Sequence, residues 1–262
     1  MKLKNNISFL FAALVLISIA GCQKTKEATE LNPLANSTAQ FIHAAPDTLA
    51  ILPQVQPAYD IVVDGLVANG SRRLTYGLVS AGGGGGNGAG YMPFLEGTRN
   101  IKISRDSGRT NVIEASLPFA KNSAYTIIAY DTLATPSSKL KVVRLNDNLT
   151  VPATGFTHVR FVHAAPNAPA VDITFLRTVP SLDSVTITNR SYLGASPNAD
   201  ALSAFTPVPS GTYTMKIKAA GTQTVVATVS LGTNLASGRI FTYYAIGTAQ
   251  RRPLAVINTR HF

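Results

Sequence analysis

The chain has 262 residues, a formal net charge of +10, 45% apolar residues and only 14% charged residues. This apolar content excludes a largely disordered protein, and the length is sufficient for two domains of ordinary size. The basic residues are scattered instead of clustered among aromatic residues, so the sequence predicts no nucleic-acid partner.

The N-terminus carries the pattern of an export signal. Two lysines precede the apolar stretch 7–20, which is too short to span a bilayer but suits a secretory signal peptide. Small residues then lead into Cys22, the only cysteine, and this run resembles a bacterial lipobox. The resemblance implies cleavage before Cys22 and lipidation of it, so that acyl chains hold the protein on a membrane. The alternative is an ordinary signal peptide followed by a chance cysteine.

Residues 1–21 are therefore predicted to be a lipoprotein signal peptide, and residues 22–38 a flexible tether. The tether is polar and has no apolar period, as expected of a spacer between a lipid surface and a folded part. Once Cys22 is acylated no cysteine remains for a disulfide, so the folded part must depend on packing alone. We expect an outer-membrane location, facing the periplasm or the cell surface, with the membrane as partner through Cys22.

Beyond the tether, the chain repeats itself. Four segments recur in the same order with similar spacing, which indicates duplication. The matching pairs are 40–47 with 160–167, 59–62 with 171–174, 97–103 with 211–217, and 125–132 with 241–248. Each copy contains about seven short strands with period-2 patterning, separated by turn residues, and no convincing helical period.

We therefore predict an all-β protein with two tandem immunoglobulin-like, Greek-key β-sandwich domains, over residues 39–150 and 156–262. The connection around residues 150–155 would join them as a small rod or bent pair. In the second copy the strands are predicted at 158–163, 170–175, 184–188, 204–208, 212–219, 222–231, 240–247 and 254–258.

The run from Val162 to Ile173 resembles the signature of the DUF4397 family, in which a hydrophobic residue precedes His-Ala-Ser/Ala-Pro-Asp-Ala-Pro and Val-Asp follows. A second copy starts at Phe41 and is interrupted by residues 48–57. The resemblance covers most of the chain after the tether, as two repeats, and implies an exported bacterial β-sandwich module of no established activity. Asn167 stands where aspartate is usual. The anchor and composition resemble those of Bacteroidetes envelope lipoproteins.

This repeated motif supplies the candidate site residues. They are His43, Pro46, Asp47 and Asp60 in the first copy, and His163, Pro166, Asn167 and Asp172 in the second. One interpretation makes each His-Asp pair a metal or general-base site. The other, which the duplication and the lack of further ligands favour, is structural: the imidazole bonds to a loop carbonyl or carboxylate beside a rigid proline. We predict no catalytic residue, no metal and no cofactor.

Two other features invite a functional interpretation. The glycine run 82–86 lacks the Gly-Lys-Ser/Thr ending and the following helix of a phosphate loop, so it is predicted to be a flexible connection. Tyr243 and Tyr244 are adjacent on a strand, so their side chains point to opposite faces and at most one of them can be exposed. Tyr76, Tyr91 and Tyr192 lie in or near loops and could form a sugar-binding rim, but core and turn packing is the default interpretation for each tyrosine.

The predicted function is a non-enzymatic envelope module for binding, adhesion or structure, present as a monomer, with a glycan or an envelope protein as ligand. Its recognition loops would lie at one end of each sandwich. Two alternatives stay open: a metal-dependent or hydrolytic enzyme that uses His43 or His163, and a passive spacer that holds partners away from the lipid.

Overall fold

The computed structural model of the chain describes residues 36–46, 58–70, 73–77, 90–105, 110–131, 140–231, 235–248 and 252–261. The described residues belong to one compact unit. Several predicted features lie outside these residues and are not tested by the structure: the signal peptide, Cys22, most of the tether, Asp47 and the glycine run 82–86. The last two tether residues, Ser37 and Thr38, already belong to the first strand.

Strands from the first half of the chain form two four-stranded sheets, which we call the first sandwich. These strands are β1 (Ser37–His43), β2 (Asp60–Val63), β3 (Leu66–Val67), β4 (Met92–Phe94), β5 (Gly97–Arg105), β6 (Thr110–Phe119), β7 (Ala124–Tyr130) and β8 (Lys141–Asp147). The sheet orders are β4-β1-β7-β8 and β3-β2-β5-β6. β1 and β7 pair in parallel, whereas the other pairs are antiparallel.

The second half of the chain repeats this topology strand for strand, and we call it the second sandwich. Its elements are β9 (Phe156–His163), β10 (Val171–Val179), β11 (Asp183–Arg190), α1 (Ala199–Ser203), β12 (Thr206–Pro209), β13 (Thr212–Ala219), β14 (Val225–Ser230), β15 (Ile240–Thr248) and β16 (Arg252–Arg260). The orders are β12-β9-β15-β16 and β11-β10-β13-β14, and β9 is again parallel to β15. The predicted all-β sandwich fold is confirmed.

Each sandwich has its own apolar core, built by residues that alternate along the strands. In the first, Phe41 of one sheet packs with Ile61 and Ile101 of the other. In the second, Phe161 and Phe175 occupy corresponding sheets. Burying a large apolar side chain of this kind contributes about 1.5–3 kcal/mol, so these two cores are the main source of stability of each half.

A third core, the shared core, lies between the two sandwiches. Its buried members include Ile42 and Ile128 from the first sandwich and Val162 and Tyr244 from the second. The sheets therefore stack in four layers, and the structure differs from the predicted rod or bent pair. The physical reason is that the central strands β1, β7, β9 and β15 carry apolar residues on both faces towards their C-terminal ends, which is typical of strands buried on both sides.

Both sandwiches begin at the same end of the molecule, which we call the basal end. Asp147, the last residue of β8, pairs with the first residue of β7, and the connection 148–155 leads directly to β9. Across the shared core, Asp147 lies 3.8 Å from His261, which donates its backbone N–H to Ile240 at the start of β15. The β1 and β9 strands run from this end towards the opposite, distal end.

Candidate functional site

His163 occupies the distal end of β9, where the repeated motif begins. Its Nδ1 accepts the backbone N–H of Ala165 at 3.3 Å, and its Nε2 donates to the carbonyl of Pro169 at 3.1 Å. Burial lowers the pKa of His163, which favours the neutral ring that these two contacts require. The imidazole therefore fixes the turn that leads from β9 into β10.

His43 occupies the matching place at the end of β1. Its Nδ1 accepts the backbone N–H of Ala45 at 3.3 Å, and its ring lies edge-on to Tyr59 and Tyr76, with centroids 4.8 and 5.8 Å away. The side chain is buried, as are Pro46 and Pro166 of the two motif copies.

Asn167 adopts a left-handed conformation, with a φ of 62°. Asparagine and aspartate both tolerate this region better than most residues do. The replacement of the usual aspartate by asparagine is therefore compatible with the backbone of the turn.

The motif aspartates bond elsewhere in the fold. Asp60 receives two bonds from the Arg73 guanidinium, at 3.1 and 3.0 Å. Asp172 accepts the backbone N–H groups of Asn189 and Gly221 at 2.7 and 2.9 Å, and these bonds lower its pKa. Among the described residues, no three His, Cys, Asp or Glu side chains are grouped so that they could hold a metal ion.

The tyrosines follow the packing alternative and not the sugar-binding rim. Tyr243 and Tyr244 are both buried, because β15 packs on the second core with one face and on the shared core with the other. Tyr76 and Tyr192 pack against the shared core instead of forming a rim.

A set of polar side chains is buried between the sandwiches at the basal end, and we call it the polar network. Its members are Gln40, Tyr91, Thr126, Asp147, Arg160, Thr242 and His261. Three pairs occupy equivalent positions in the two sandwiches: Gln40 with Arg160, Thr126 with Thr242, and Asp147 with His261. The network therefore has approximate two-fold symmetry.

Arg160 is the centre of the polar network. Its Nη2 lies 2.8 Å from Asp147 Oδ1, with both side chains at most 1% exposed, and also donates to Thr126 Oγ1 at 3.2 Å. Its Nε donates to Thr242 Oγ1 at 3.1 Å, and the guanidinium stacks 4.4 Å above the Phe205 ring. The buried charges thus compensate each other, as a low-dielectric interior requires.

His261 and Tyr91 complete the network beside this ion pair. The Tyr91 hydroxyl bridges Asp147 Oδ2 and His261 Nδ1, at 2.6 Å from each, and His261 Nε2 lies 2.8 Å from Thr242 Oγ1. Burial, opposed by Asp147 and reinforced by Arg160, lowers the pKa of His261 to about 4. Burial and the adjacent Asp147 raise the pKa of Tyr91 above its usual range. At neutral pH both groups are therefore uncharged.

The repeated motif did not predict this network. A signal for it exists, because Arg160 interrupts the apolar run from Val159 to Val162, where the first copy has Gln40. A charged residue in such a strand requires a buried partner. The composition of the network is that of many catalytic sites, but its ion pair and His261 have no access to solvent.

An open groove of about 990 Å³ lies at the basal end of the first sandwich, beside Asn36 where the described chain begins. Amides of Asn122, Asn146 and Asn148 line it, together with Arg144, whose guanidinium lies 4.6 Å above the Tyr125 ring. Among the described residues, no carboxylate pairs with Arg144. Amides, an aromatic ring and an unpaired cation suit a polyhydroxylated or anionic ligand.

Within the described ranges, no helix has the length and apolar character needed to cross a membrane.

Comparisons with known proteins identify a family but not an activity. No curated protein matches the chain. One similar solved structure, from Bacteroides uniformis, is named for a proposed role in cell adhesion; it has 10% identity, coverage of 86% of this chain and 97% of that one, and a TM-score of 0.23. Another, a leucine-rich repeat protein from Bacteroides thetaiotaomicron, has 12% identity and a TM-score of 0.20. These TM-scores are too low to indicate a shared fold or function.

Coverage of the leucine-rich repeat protein is uneven: the match takes in 83% of this chain but only 27% of that one.

The family model described as "Domain of unknown function (DUF4397)" matches residues 37–174, which is more than half of the chain. The match begins with the first residue of β1, includes all of the first sandwich, and ends within β10. The chain therefore belongs to the DUF4397 family.

Proposed function

We propose that the protein is an exported, non-enzymatic module of the bacterial cell envelope that binds an envelope component in its basal groove. In this proposal it consists of two tandem DUF4397 repeats, anchored to the outer membrane by lipidated Cys22. The identical strand order of the two sandwiches supports the tandem repeat. A glycan or a glycan-bearing envelope component is the ligand class that the groove suits best.

The open groove is the observation that carries this proposal. Arg144 is half-buried, lies over Tyr125 and has no acidic partner among the described residues, so its charge is available to a ligand. The amide of Asn122 is exposed beside it and can both donate to and accept from hydroxyl groups. Planar guanidinium and amide groups recognise carboxylates and vicinal hydroxyls through paired hydrogen bonds.

The polar network supports a non-enzymatic role. Its histidine, aspartate and arginine are bonded to one another and enclosed by two sheets, so that a substrate has no access to them. The motif residues His163 and Asp172 are likewise bonded to backbone groups. These contacts favour a structural use of the titratable groups over the enzyme alternative.

Ligand binding can be measured with the purified mature protein and a panel of envelope polysaccharides, by calorimetry. We expect an acidic polysaccharide to bind and the Arg144→Gln variant to lose at least about 1.5 kcal/mol of binding free energy, the contribution of a charge-assisted hydrogen bond. Lys216→Gln removes a cation from the outer face of β13 and serves as the control. If the parent binds no envelope component, the spacer alternative replaces this proposal.

The anchor is tested separately. Membrane partition of the parent is compared with that of Cys22→Ser, which retains every other residue. We expect the variant to lose the acyl-dependent shift in electrophoretic mobility and to leave the outer-membrane fraction. Protease treatment of intact cells then decides whether the sandwiches face the periplasm or the cell surface.

A further inference from the structure

We propose that the basal end is a docking surface for an anionic lipid bilayer. This inference deepens the proposed function, because it names the lipid surface as a partner of the folded body itself, in addition to the acyl chains. It depends on three independent observations: where the exposed apolar side chains lie, which charges surround them, and where the chain arrives from the anchor.

Exposed apolar side chains are concentrated at the basal end. Six of the nine large hydrophobic residues that the described part of the chain exposes lie there. In the first sandwich they are Leu66 (76% exposed) and Val67 (53%) at the β2–β3 hairpin; in the second they are Val179 (56%) and Leu182 (78%) at the β10–β11 hairpin, with Val151 (67%) and Phe156 (41%) between. Such an accumulation marks an interaction site.

The apolar residues of the second sandwich are held in place by an ion pair. Arg177 Nε donates to Asp183 Oδ1 at 3.0 Å, and its Nη2 donates to Ser181 Oγ at the same distance. Its Nη1 reaches the carbonyl of Ser210 at 3.4 Å, which ties the hairpin tip to the start of β13. The exposure of Leu182 is therefore a built feature of a fixed hairpin.

The β2–β3 hairpin of the first sandwich is held in a comparable way. Asp64 in its turn accepts the backbone N–H of Asn100 at 2.9 Å and a bond from Arg99 at 3.1 Å. Both hairpins thus present apolar tips at one end of the molecule, on opposite sides of the shared core. Two separated apolar contacts can orient a rigid body on a surface.

The charges at the basal end favour an anionic surface. Lys121, Arg144 and Arg239 have no carboxylate partner among the described residues, and the described acids without a basic partner are Glu96 and Asp200 of α1. Basic residues next to a bilayer are attracted by its anionic headgroups. Apolar tips surrounded by cations are the combination found in peripheral membrane-binding elements.

The position of the anchor selects the lipid surface among other occupants. The described chain begins at Asn36 at the basal end, and the segment 23–35 separates it from Cys22. At about 3.5 Å per residue, this segment reaches at most roughly 45 Å. A lipidated Cys22 thus keeps the basal end beside the bilayer. The groove opens at the same end and would therefore face envelope components at that surface.

The test uses the full-length lipoprotein purified from membranes. Because Cys22 is acylated, an introduced cysteine is the single free thiol and can carry an environment-sensitive fluorophore. Leu182→Cys places the fluorophore at the basal end, and Leu254→Cys, at the start of β16, places it at the distal end with comparable exposure. Both proteins are reconstituted in phosphatidylcholine vesicles with and without phosphatidylglycerol.

We expect a blue-shifted emission and quenching by lipid-bound quenchers for the label at 182, stronger with phosphatidylglycerol, and water-like emission at 254. Equal emission at the two sites would overturn the inference. A blue shift that depends on protein concentration and persists without vesicles would also overturn it, because a second copy would then cover the tips.

Lipidation of Cys22 is tested by a separate measurement, the reaction of the parent protein with a thiol reagent. If a thiol reagent labels the parent protein, Cys22 is free, and this outcome contradicts the lipidation proposal. In that event the same two label positions are compared in the Cys22→Ser background, with the chain held on nickel-chelating lipid by an N-terminal histidine tag. The difference between the two labels then still decides the inference.

Discussion

Arg160 and Asp147 occupy an unfavourable environment for charges, between two sheets and away from water. Their side chains are at most 1% exposed, and they stabilise each other at 2.8 Å with further bonds from Thr126 and Tyr91. Removing one partner leaves the other charge buried and uncompensated, which costs more than the pair contributes. The ion pair is thus a condition for the packing of the two sandwiches.

We therefore expect Asp147→Ala to lower the free energy of unfolding by about 3–5 kcal/mol. The double variant Asp147→Leu with Arg160→Met should lose less, because no charge remains in the interface. Urea unfolding of the single variants Asp147→Leu and Arg160→Met and of the double variant measures the difference. The exposed pair Lys102–Glu114 provides the control, since Glu114→Ala breaks a solvent-screened ion pair and should leave stability nearly unchanged. Equal losses in the single and double variants would contradict this account.

His261 makes the stability depend on pH. Its pKa falls from the ordinary 6.5 to about 4 in the folded protein, mainly through burial. The unfolded chain therefore binds this proton more readily, so stability is complete above about pH 6.5 and is lost as the pH falls towards 4.

We expect a loss of a few kcal/mol across that interval in the parent, and a flatter profile for His261→Gln. The part of the slope that remains comes from His163, whose pKa burial also lowers. Chemical denaturation at a series of pH values measures both profiles. A parental slope that survives in His261→Gln would show that another group carries it.

At the level of single elements, period-2 patterning predicted the second sandwich well. Each of its eight strands lies where the sequence analysis expected one, with ends that differ by a few residues. The helix α1 escaped prediction because five residues give no helical period; its signal is local, with Asn198 Oδ1 capping the backbone N–H of Ala201. The motif residues were found, but the contacts that they make depend on neighbours distant in the sequence.

At Gly247, near the end of β15, the backbone comes very close to the backbone of β16. Gly247 has a φ of 106°, and a Cβ placed there would lie 2.5 Å from the carbonyl oxygen of Pro253. Gly155 has a similar φ of 83° but open space around it. An alanine at either position would therefore adopt an unfavourable left-handed backbone, but only at position 247 would its Cβ also clash with a neighbouring carbonyl.

We expect Gly155→Ala to cost about 1 kcal/mol, the penalty of a left-handed alanine. Gly247→Ala should cost clearly more, because the β15–β16 backbone must also move. Thermal unfolding of the two variants gives the comparison. Equal losses would mean that the turn into β16 yields without cost.

At the level of the whole molecule, strand pattern predicted the all-β sandwich fold, whereas the shared core differs from the predicted rod or bent pair. Strand pattern shows which residues are apolar, but it does not show which apolar face is covered by which partner. Phe41 and Ile42 form one apolar run in the sequence. In the structure, Phe41 packs in the first core and Ile42 packs in the shared core. The polar network was hidden for the same reason, since Asp147 and His261 meet only after the sandwiches stack.

The shared core should make the two sandwiches unfold together. Separating them exposes Ile128 and Tyr244, which are fully buried, and breaks the Arg160–Asp147 pair. Ile128→Ala removes contacts of the first sandwich with the second and should cost about 2–5 kcal/mol. We expect hydrogen exchange to report the same loss of protection in β5 and in β13, which belong to different sandwiches. Loss confined to β5 would show that each sandwich is stable alone and that the shared core only holds two independent domains together.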